Sequence, residues 1–482
     1  MTRLDASTLS SLRGAVDVPS YDRAAVRTGI VHLGVGGFHR AHQAMYLDRL
    51  MERGRALDWG ICGVGVLRGD RPLADVLTAQ DGLYTLVLAH PDGRLDARVV
   101  GSLVEYLFAP DDPAAVVARM ADPATRIVSM TVTASGYEVP PAVDPAEAVA
   151  PATALGLVTA ALARRRERGQ PPFAVVSCDN MTGNGDIARR SVTGFASALD
   201  AGLAAWVDEQ VPFPNSMVDR ITPATTAAVR EEVAGRFGVD DGWPVRCEPW
   251  AQWVLEDDFR CGRPPLEEVG VQLVDDVAPY EQMKLRLLNA GHQVLGQLGS
   301  LTGLTFAHEA CRDELLRAFL ADWMEQEARP TVPPVPGTDL ARYQVELIAR
   351  FGNPAVEDTL HRLRADGSVR VPRFLLPVVR DRLAAGRDVR RSALVVAAWT
   401  RCVEGRDDAG RPLDLVDPRA DALRAAARRQ RADPLAFVAD RELFGDLADD
   451  PRFTRPYLAA LDALRSRGAR ATMQAVLAGS LG

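Results

Sequence analysis

Lysine is nearly missing from this 482-residue chain: of 56 basic residues, only Lys284 is lysine and every other one is arginine. Asparagine is also scarce, with five residues at 180, 184, 215, 289 and 353. Cysteine is thin as well. The six residues Cys62, Cys178, Cys247, Cys261, Cys311 and Cys402 form no CxxC pair. This excludes a disulfide scaffold and a paired-cysteine zinc site, and it fits a reducing cytoplasm. No apolar run approaches the ~18 residues of a membrane span, and Met1 to Arg13 holds no apolar signal core. A net charge of −8 argues against a broad nucleic-acid surface. What remains is an ordinary globular mix, 47% hydrophobic and 25% charged, long enough for two or three domains.

The scarcity of lysine and asparagine matches a GC-rich coding sequence, in which surface lysines drift to arginine at little cost. A lysine that must release its proton cannot drift, because guanidinium stays charged. Composition alone therefore makes Lys284 a candidate catalytic base, beside the plain alternative of a leftover residue.

The first structural signal is a strand near Thr28 to Leu33, a turn Gly34-Val35-Gly36-Gly37-Phe38-His39, and a helical stretch to about Arg53. Strand, glycine turn and helix form the opening of a dinucleotide-binding unit. A complete GxGxxG would carry glycine where His39 stands, so a plain glycine turn is the competing reading. The next strand, Trp59 to Val66, is followed by Arg68 and Asp70. Asp70 suits the ribose hydroxyls of NAD, whereas Arg68 would suit the extra phosphate of NADP; NAD is expected and NADP stays open. Tyr84 to His90 and Leu95 to Val100 flank a Pro-Asp-Gly-Arg turn and read as a hairpin. Arg126 to Thr133 and Phe173 to Cys178 read as buried strands with polar ends, Thr131 and Thr133 on one and Asp179 and Asn180 on the other. Sites in α/β folds form at such ends. Pro140 to Pro151 reads as a loop. Phe213 to Pro223 is bracketed by prolines and cannot be a long helix; the readings there are a structural loop held by an Asp219–Arg220 ion pair and a segment that takes a direct part in the chemistry.

Beyond Glu281 the apolar spacing becomes helical, with breaks at Pro330–Pro336, Gly367 and Gly410, and no repeat is apparent. The expected organisation is α/β: a Rossmann-type domain over 1–275, then a mainly α-helical domain over 276–482 carrying substrate and catalytic residues. The second domain opens with Glu281, Lys284, Asn289 and His292. At ~100° per residue these four fall on one broad, partly apolar helix face. Such surroundings would depress a lysine pKa, so that it can take a proton from an alcohol. Asparagine amides can hold an oxygen that gains negative charge, and imidazole can polarise it.

The strings Gly34 to Gln43 (GVGGFHRAHQ), Cys178-Asp179-Asn180, Phe213 to Pro223 and Lys284 to His292 resemble the polyol-specific long-chain dehydrogenase/reductase family, over residues 28 to about 385. The resemblance implies a zinc-independent NAD(P) enzyme. It implies that Lys284 is the general base, that Asn180 and Asn289 hold the reacting oxygen, that His292 and Asp219 contact substrate, and that Glu281 passes protons to the lysine. It places the cofactor against Gly34, Val35, Gly36, Gly37, Phe38, His39 and Arg40; Asp70, Thr131 and Thr133 complete that set. Phe351-Gly352-Asn353-Pro354, Arg362 and Asp366-Gly367-Ser368 continue the match and make Arg362 and Arg370 substrate contacts. Three departures bear on the substrate: Ala134 within Thr133–Tyr137, Gln293 where serine is frequent, and Arg370 where lysine is usual. The expected reaction interconverts a sugar alcohol and a ketose, with mannitol and fructose leading; keto-uronate reduction or arabinitol oxidation is the alternative, and a nucleotide-sensing protein without turnover the remote one. A small polyol or ketose is the expected partner, without nucleic acid, membrane or metal, and the chain is expected to be a monomer or a dimer.

Overall fold

The structure is a computed structural model and describes residues 1–141, 143 and 151–481; residues 142 and 144–150, most of the Pro140–Pro151 loop, lie outside the described residues. The chain divides into two compact units, Met1–Ala278 and Pro279–Gly482.

The first unit is built on five parallel strands: β1 (Thr28–Leu33), β2 (Gly60–Gly65), β3 (Leu103–Phe108), β4 (Ile127–Met130) and β5 (Ala174–Ser177). Their order across the sheet is β3-β2-β1-β4-β5. This is the Rossmann order, whose binding crevice lies beyond the carboxyl ends of the strands. β1, β2, β4 and β5 are buried along their whole length because both faces are covered, whereas β3, at the sheet edge, is half-buried beyond Leu103. Ile30, Ile61 and Ile127 face one core, which includes residues of the helix Gln43–Glu52; Val31, Leu33, Val64, Val128 and Met130 face another, with residues of the helices Pro113–Met120, Ala154–Glu167 and Asn184–Leu199.

The helical stretch after β1 is broken. Helix α1 (Gly37–Ala41) ends at His42, whose backbone is non-helical (φ −122°, ψ −92°), and α2 (Gln43–Glu52) starts again. Arg220 Nη1 donates to the Ala41 carbonyl at 2.6 Å, meeting an acceptor at the break. The hairpin Tyr84–Ala89 with Leu95–Val100 forms antiparallel, turned at Gly93 with φ +84°, and takes Val245–Cys247 as a third strand.

The proline-bracketed segment is not loop throughout. Ser216–Asp219 is a strand, antiparallel to Gln252–Glu256, which pairs in turn with Gln272–Val274. Its partner lies more than thirty residues away, so local spacing carries no sign of it. Arg220 also departs from the expected pairing with Asp219. Besides the Ala41 carbonyl it reaches the Glu248 carbonyl, from Nε at 3.0 Å, while Trp250 donates to Asp219.

The second unit is mainly helical. Among its longer helices are Arg390–Val403 and Pro451–Leu477, the latter kinked at Gly468. Glu327 reaches the start of Arg390–Val403, where its carboxyl accepts from the backbone N–H of Arg391 and of Ser392, each at 2.8 Å, and from the Ser392 hydroxyl at 2.5 Å. Those first-turn N–H groups have no acceptor within their own helix.

Candidate active site

The turn after β1 has one glycine fixed by the fold and one that leaves space. Gly34 has φ +89°, and a Cβ there would lie 2.3 Å from the Thr131 carbonyl oxygen. At Gly36 a Cβ would meet nothing nearer than 4.0 Å, so the missing side chain leaves room above the turn. A cavity of about 480 Å³ opens there, lined by Gly34, Val35, Gly36, Asp70, Thr131 and Thr133 among others. A crevice at the strand ends with a bare glycine edge and a carboxylate at the second strand suits a dinucleotide. Asp70 Oδ2 accepts from the backbone of Val66 at 3.1 Å and of Leu67 at 2.9 Å, which fixes the turn that carries it.

Gly37, Phe38, His39 and Arg40 do not line this cavity. Gly37 opens α1, and Phe38 stacks on His42 at 4.9 Å. His39 is buried and stacks on His32, ring centroids 3.4 Å apart, and burial drives both imidazoles well below their ordinary range, His32 to about 3. Uncharged rings can stack so closely without repulsion. The imidazole in the third glycine position is thus packed beneath the turn. His32 extends the support, with Nδ1 2.8 Å from Ser129 Oγ and Nε2 3.0 Å from Thr131 Oγ1, and Thr131 donates to the Gly34 carbonyl at 2.7 Å. Arg40 is also buried, its guanidinium over the Tyr84 ring and bonded to the Trp243 carbonyl. Both residues serve packing because their side chains point into the core.

Asp179 has a structural task that its place in the sequence did not disclose. Its carboxylate accepts from the backbone N–H of Val132 and Thr133, each at 3.0 Å, and from the Tyr137 hydroxyl at 2.8 Å. Thr133 is held at φ +64°, a conformation costly for a β-branched residue. Asn180 follows directly and is exposed; Asp219 ends its strand, buried, with Trp250 Nε1 3.2 Å from Oδ2.

The second unit begins within helix α3 (Ala278–Met283), which carries Glu281, and continues into a π-helical stretch, Lys284–Asn289, followed by α4 (Ala290–Leu301). The expected uniform α-helical face is therefore not what forms, because i→i+5 bonding widens each turn through these six residues. Such stretches are frequent at functional sites. Glu281 and Lys284 are both buried. Asn289 Oδ1 and His292 Nε2 are buried without a hydrogen-bond partner among the described residues. Burial pushes the His292 imidazole far down, and the charges of Arg362, Arg370, Arg350 and Lys284 push it further, so it is neutral. Gln293 donates to the Leu363 carbonyl at 2.9 Å, tying α4 to the short helix Leu360–Arg364 that carries Arg362. Arg370 donates to the Arg362 carbonyl at 3.1 Å and lies 3.7 Å from Asp366. Among the described residues no group of three or more His, Cys, Asp or Glu is arranged to hold a metal ion, and no helix is long and apolar enough to cross a membrane.

Two family models match the chain: a mannitol dehydrogenase Rossmann domain over residues 28–268 and a mannitol dehydrogenase C-terminal domain over 276–465. The chain is 44% identical to a mannitol 2-dehydrogenase of Phaeosphaeria nodorum, covering 98% of this chain and 85% of that one. It is 42% identical to a mannitol 2-dehydrogenase of Aspergillus fumigatus, over 98% of both chains. Its fold matches the Pseudomonas fluorescens mannitol 2-dehydrogenase, solved as a ternary complex with NAD and D-mannitol, with TM-score 0.91, 41% identity and coverage of 99% and 100%. A D-sorbitol dehydrogenase in substrate-free form matches with TM-score 0.89 at 37% identity, over 98% of this chain and 100% of that one. With both domain models matched in order and relatives aligned along nearly the full length, the chain belongs to the mannitol dehydrogenase family.

Proposed function

We propose that this protein is an NAD-dependent secondary-alcohol dehydrogenase that interconverts D-mannitol and D-fructose. The observation that carries the reading is the short stretch Lys284–His292, where a buried amine precedes an amide and an imidazole that each bury a polar atom with no partner among the described residues. Orphaned buried groups of this kind suit a polyhydroxylated ligand, which can donate and accept at every carbon. The full-length similarity to enzymes of mannitol supports the same substrate.

In this reading the 1–275 part holds the cofactor and 276–482 supplies the proton chemistry. Bound NAD supplies the hydride acceptor. Gly34 and Gly36 let the backbone approach the ligand, and Asp70 selects NAD because its carboxylate repels a 2′-phosphate; Arg68 is not part of the cavity lining. Neutral Lys284 takes the hydroxyl proton on Nζ, and as an ammonium returns it in the reverse direction. The amides of Asn180 and Asn289 donate to the oxygen while it carries negative charge. Neutral His292 offers Nε2 to a substrate hydroxyl, Glu281 relays protons to Lys284, and Asp219, Arg362 and Arg370 hold the remaining hydroxyls. The reducing cytoplasm is the proposed location, consistent with six free cysteines, five of them buried.

The direct test is a panel of mannitol, arabinitol and sorbitol oxidation with NAD and NADP, together with fructose and fructuronate reduction. The highest kcat/KM is expected for mannitol with NAD. Turnover of none of these substrates with either cofactor would defeat the reading.

A further inference from the structure

Arg362, a proposed substrate contact, has most of its fork already engaged. Its Nε donates to Asp358 Oδ1 at 2.6 Å and its Nη2 to Asp358 Oδ2 at 2.5 Å, a bidentate pair that reaches from the helix Leu360–Arg364 back to the residue before its N-cap, Thr359. Asp358 is 7% exposed at its side chain, whereas Arg362 is 47% exposed. The carboxylate is thus inside and fixed, and the guanidinium reaches outward from it with Nη1 left as the donor not turned to Asp358. The backbone adds to this rigidity: the Asp358 carbonyl accepts from Ala307 N–H at 2.9 Å, and Thr359 caps the helix by accepting from Arg362 N–H at 3.2 Å. Arg370, 3.7 Å from Asp366, lies within the field of the Asp358 carboxylate as well.

A bare guanidinium beside a sugar site would favour a carboxylate, which it can grip through two parallel bonds. A guanidinium whose paired edge is already closed by a fixed carboxylate offers one donor and little net charge. That suits a hydroxyl, and an incoming carboxylate meets Asp358 as a like charge in a partly desolvated setting, where repulsion is poorly screened.

We propose that Asp358 is a specificity-determining residue that, by closing Arg362 into an ion pair, fits this site to uncharged polyols and ketoses and turns away the corresponding sugar acids. The inference rests on the polyol dehydrogenase reading and adds to it the residue that separates polyol from keto-uronate chemistry. Because Asp358 acts through Arg362, it is a positioning residue.

The test compares the native full-length enzyme with Asp358→Asn and Asp358→Glu. The measurements are kcat/KM for NADH-linked reduction of fructose and of fructuronate, and the inhibition constant of D-mannonate against fructose. Asparagine keeps one acceptor for Arg362 and removes the charge. In that variant the fructuronate-to-fructose ratio of kcat/KM rises at least about tenfold, and D-mannonate inhibits at correspondingly lower concentration. The glutamate variant, which restores the charge, returns the ratio toward the native value. Equal losses on both substrates in the asparagine variant, with the ratio and D-mannonate inhibition unchanged, would overturn the proposal and leave the polyol reading standing. A native enzyme that reduced fructuronate and not fructose would remove the polyol reading itself. Should the asparagine variant not fold, the native enzyme still decides: D-mannonate binds at least about tenfold more weakly than mannitol, and equal affinity overturns the proposal.

Discussion

Asn289 and His292 lie three residues apart where the π-helical stretch passes into α4, and each buries a polar atom, Oδ1 and Nε2, that no described residue satisfies. Leaving one such group unpaired costs about 1–3 kcal/mol, a cost that a polyol bound as proposed would relieve.

Replacing Asn289 with alanine removes one of the two amides assigned to the reacting oxygen. The expected loss is about 10²- to 10³-fold in kcat for mannitol oxidation, the range for one oxyanion donor. Cofactor affinity, measured by fluorescence titration with NADH, stays near native. A variant with native kcat would mean that the amide does not touch the reacting oxygen.

Much of the first unit was legible because its signals are local. The β1 run, the glycine turn and the Pro-Asp-Gly-Arg hairpin each occupy a few consecutive residues. The Ser216–Asp219 strand was hidden because its prolines mimic a loop and its ladder partner is distant. The π stretch was hidden because no composition encodes i→i+5 bonding, so Lys284–Asn289 reads like ordinary helix. His39 and Arg40 sit in a motif that points to cofactor, yet they turn inward, and only the stacked His32 ring and the Tyr84 ring reveal why. The Asp179 clamp joins the ends of two strands far apart in sequence. The Asp358–Arg362 pair was hidden because Asp358 precedes the N-cap Thr359 and lies outside the helix that carries Arg362, so helical spacing does not bring the two together.

The cofactor assignment yields a charge prediction. Asp70→Asn keeps an oxygen able to accept from Val66 and Leu67 N–H and removes the carboxylate that repels a 2′-phosphate. The NAD-to-NADP ratio of kcat/KM for mannitol should fall by about tenfold or more. An unchanged ratio would show that another group selects the cofactor.

Glu327 ties folding to pH. Burial raises its carboxyl from 4.5 to about 7, even though three hydrogen bonds from Ser392 and Arg391 favour the ionised form. The folded state therefore holds this proton more tightly than the unfolded chain does. That contribution is fully present below about 4.5 and is lost as pH rises through about 7. In Glu327→Gln the term is absent. The Tm of the native enzyme relative to the variant should decline as pH rises across this window, read by thermal unfolding of both proteins in matched buffers. A difference that grows with pH, or stays flat, would contradict the assignment.

The most direct test of the account is Lys284→Arg, assayed for mannitol oxidation across pH. Arginine stands at every other basic position of this chain, so a residue that only carried charge would tolerate the change. A base would not, because the guanidinium pKa above ~12 leaves almost no neutral form. The account predicts a fall in kcat of at least ~10²-fold, with NADH binding retained. It also predicts that the rise of the native rate with pH, produced as the lysine ammonium gives up its proton, is absent from the variant. A variant with near-native kcat and the native pH profile would contradict the assignment of Lys284 as the base.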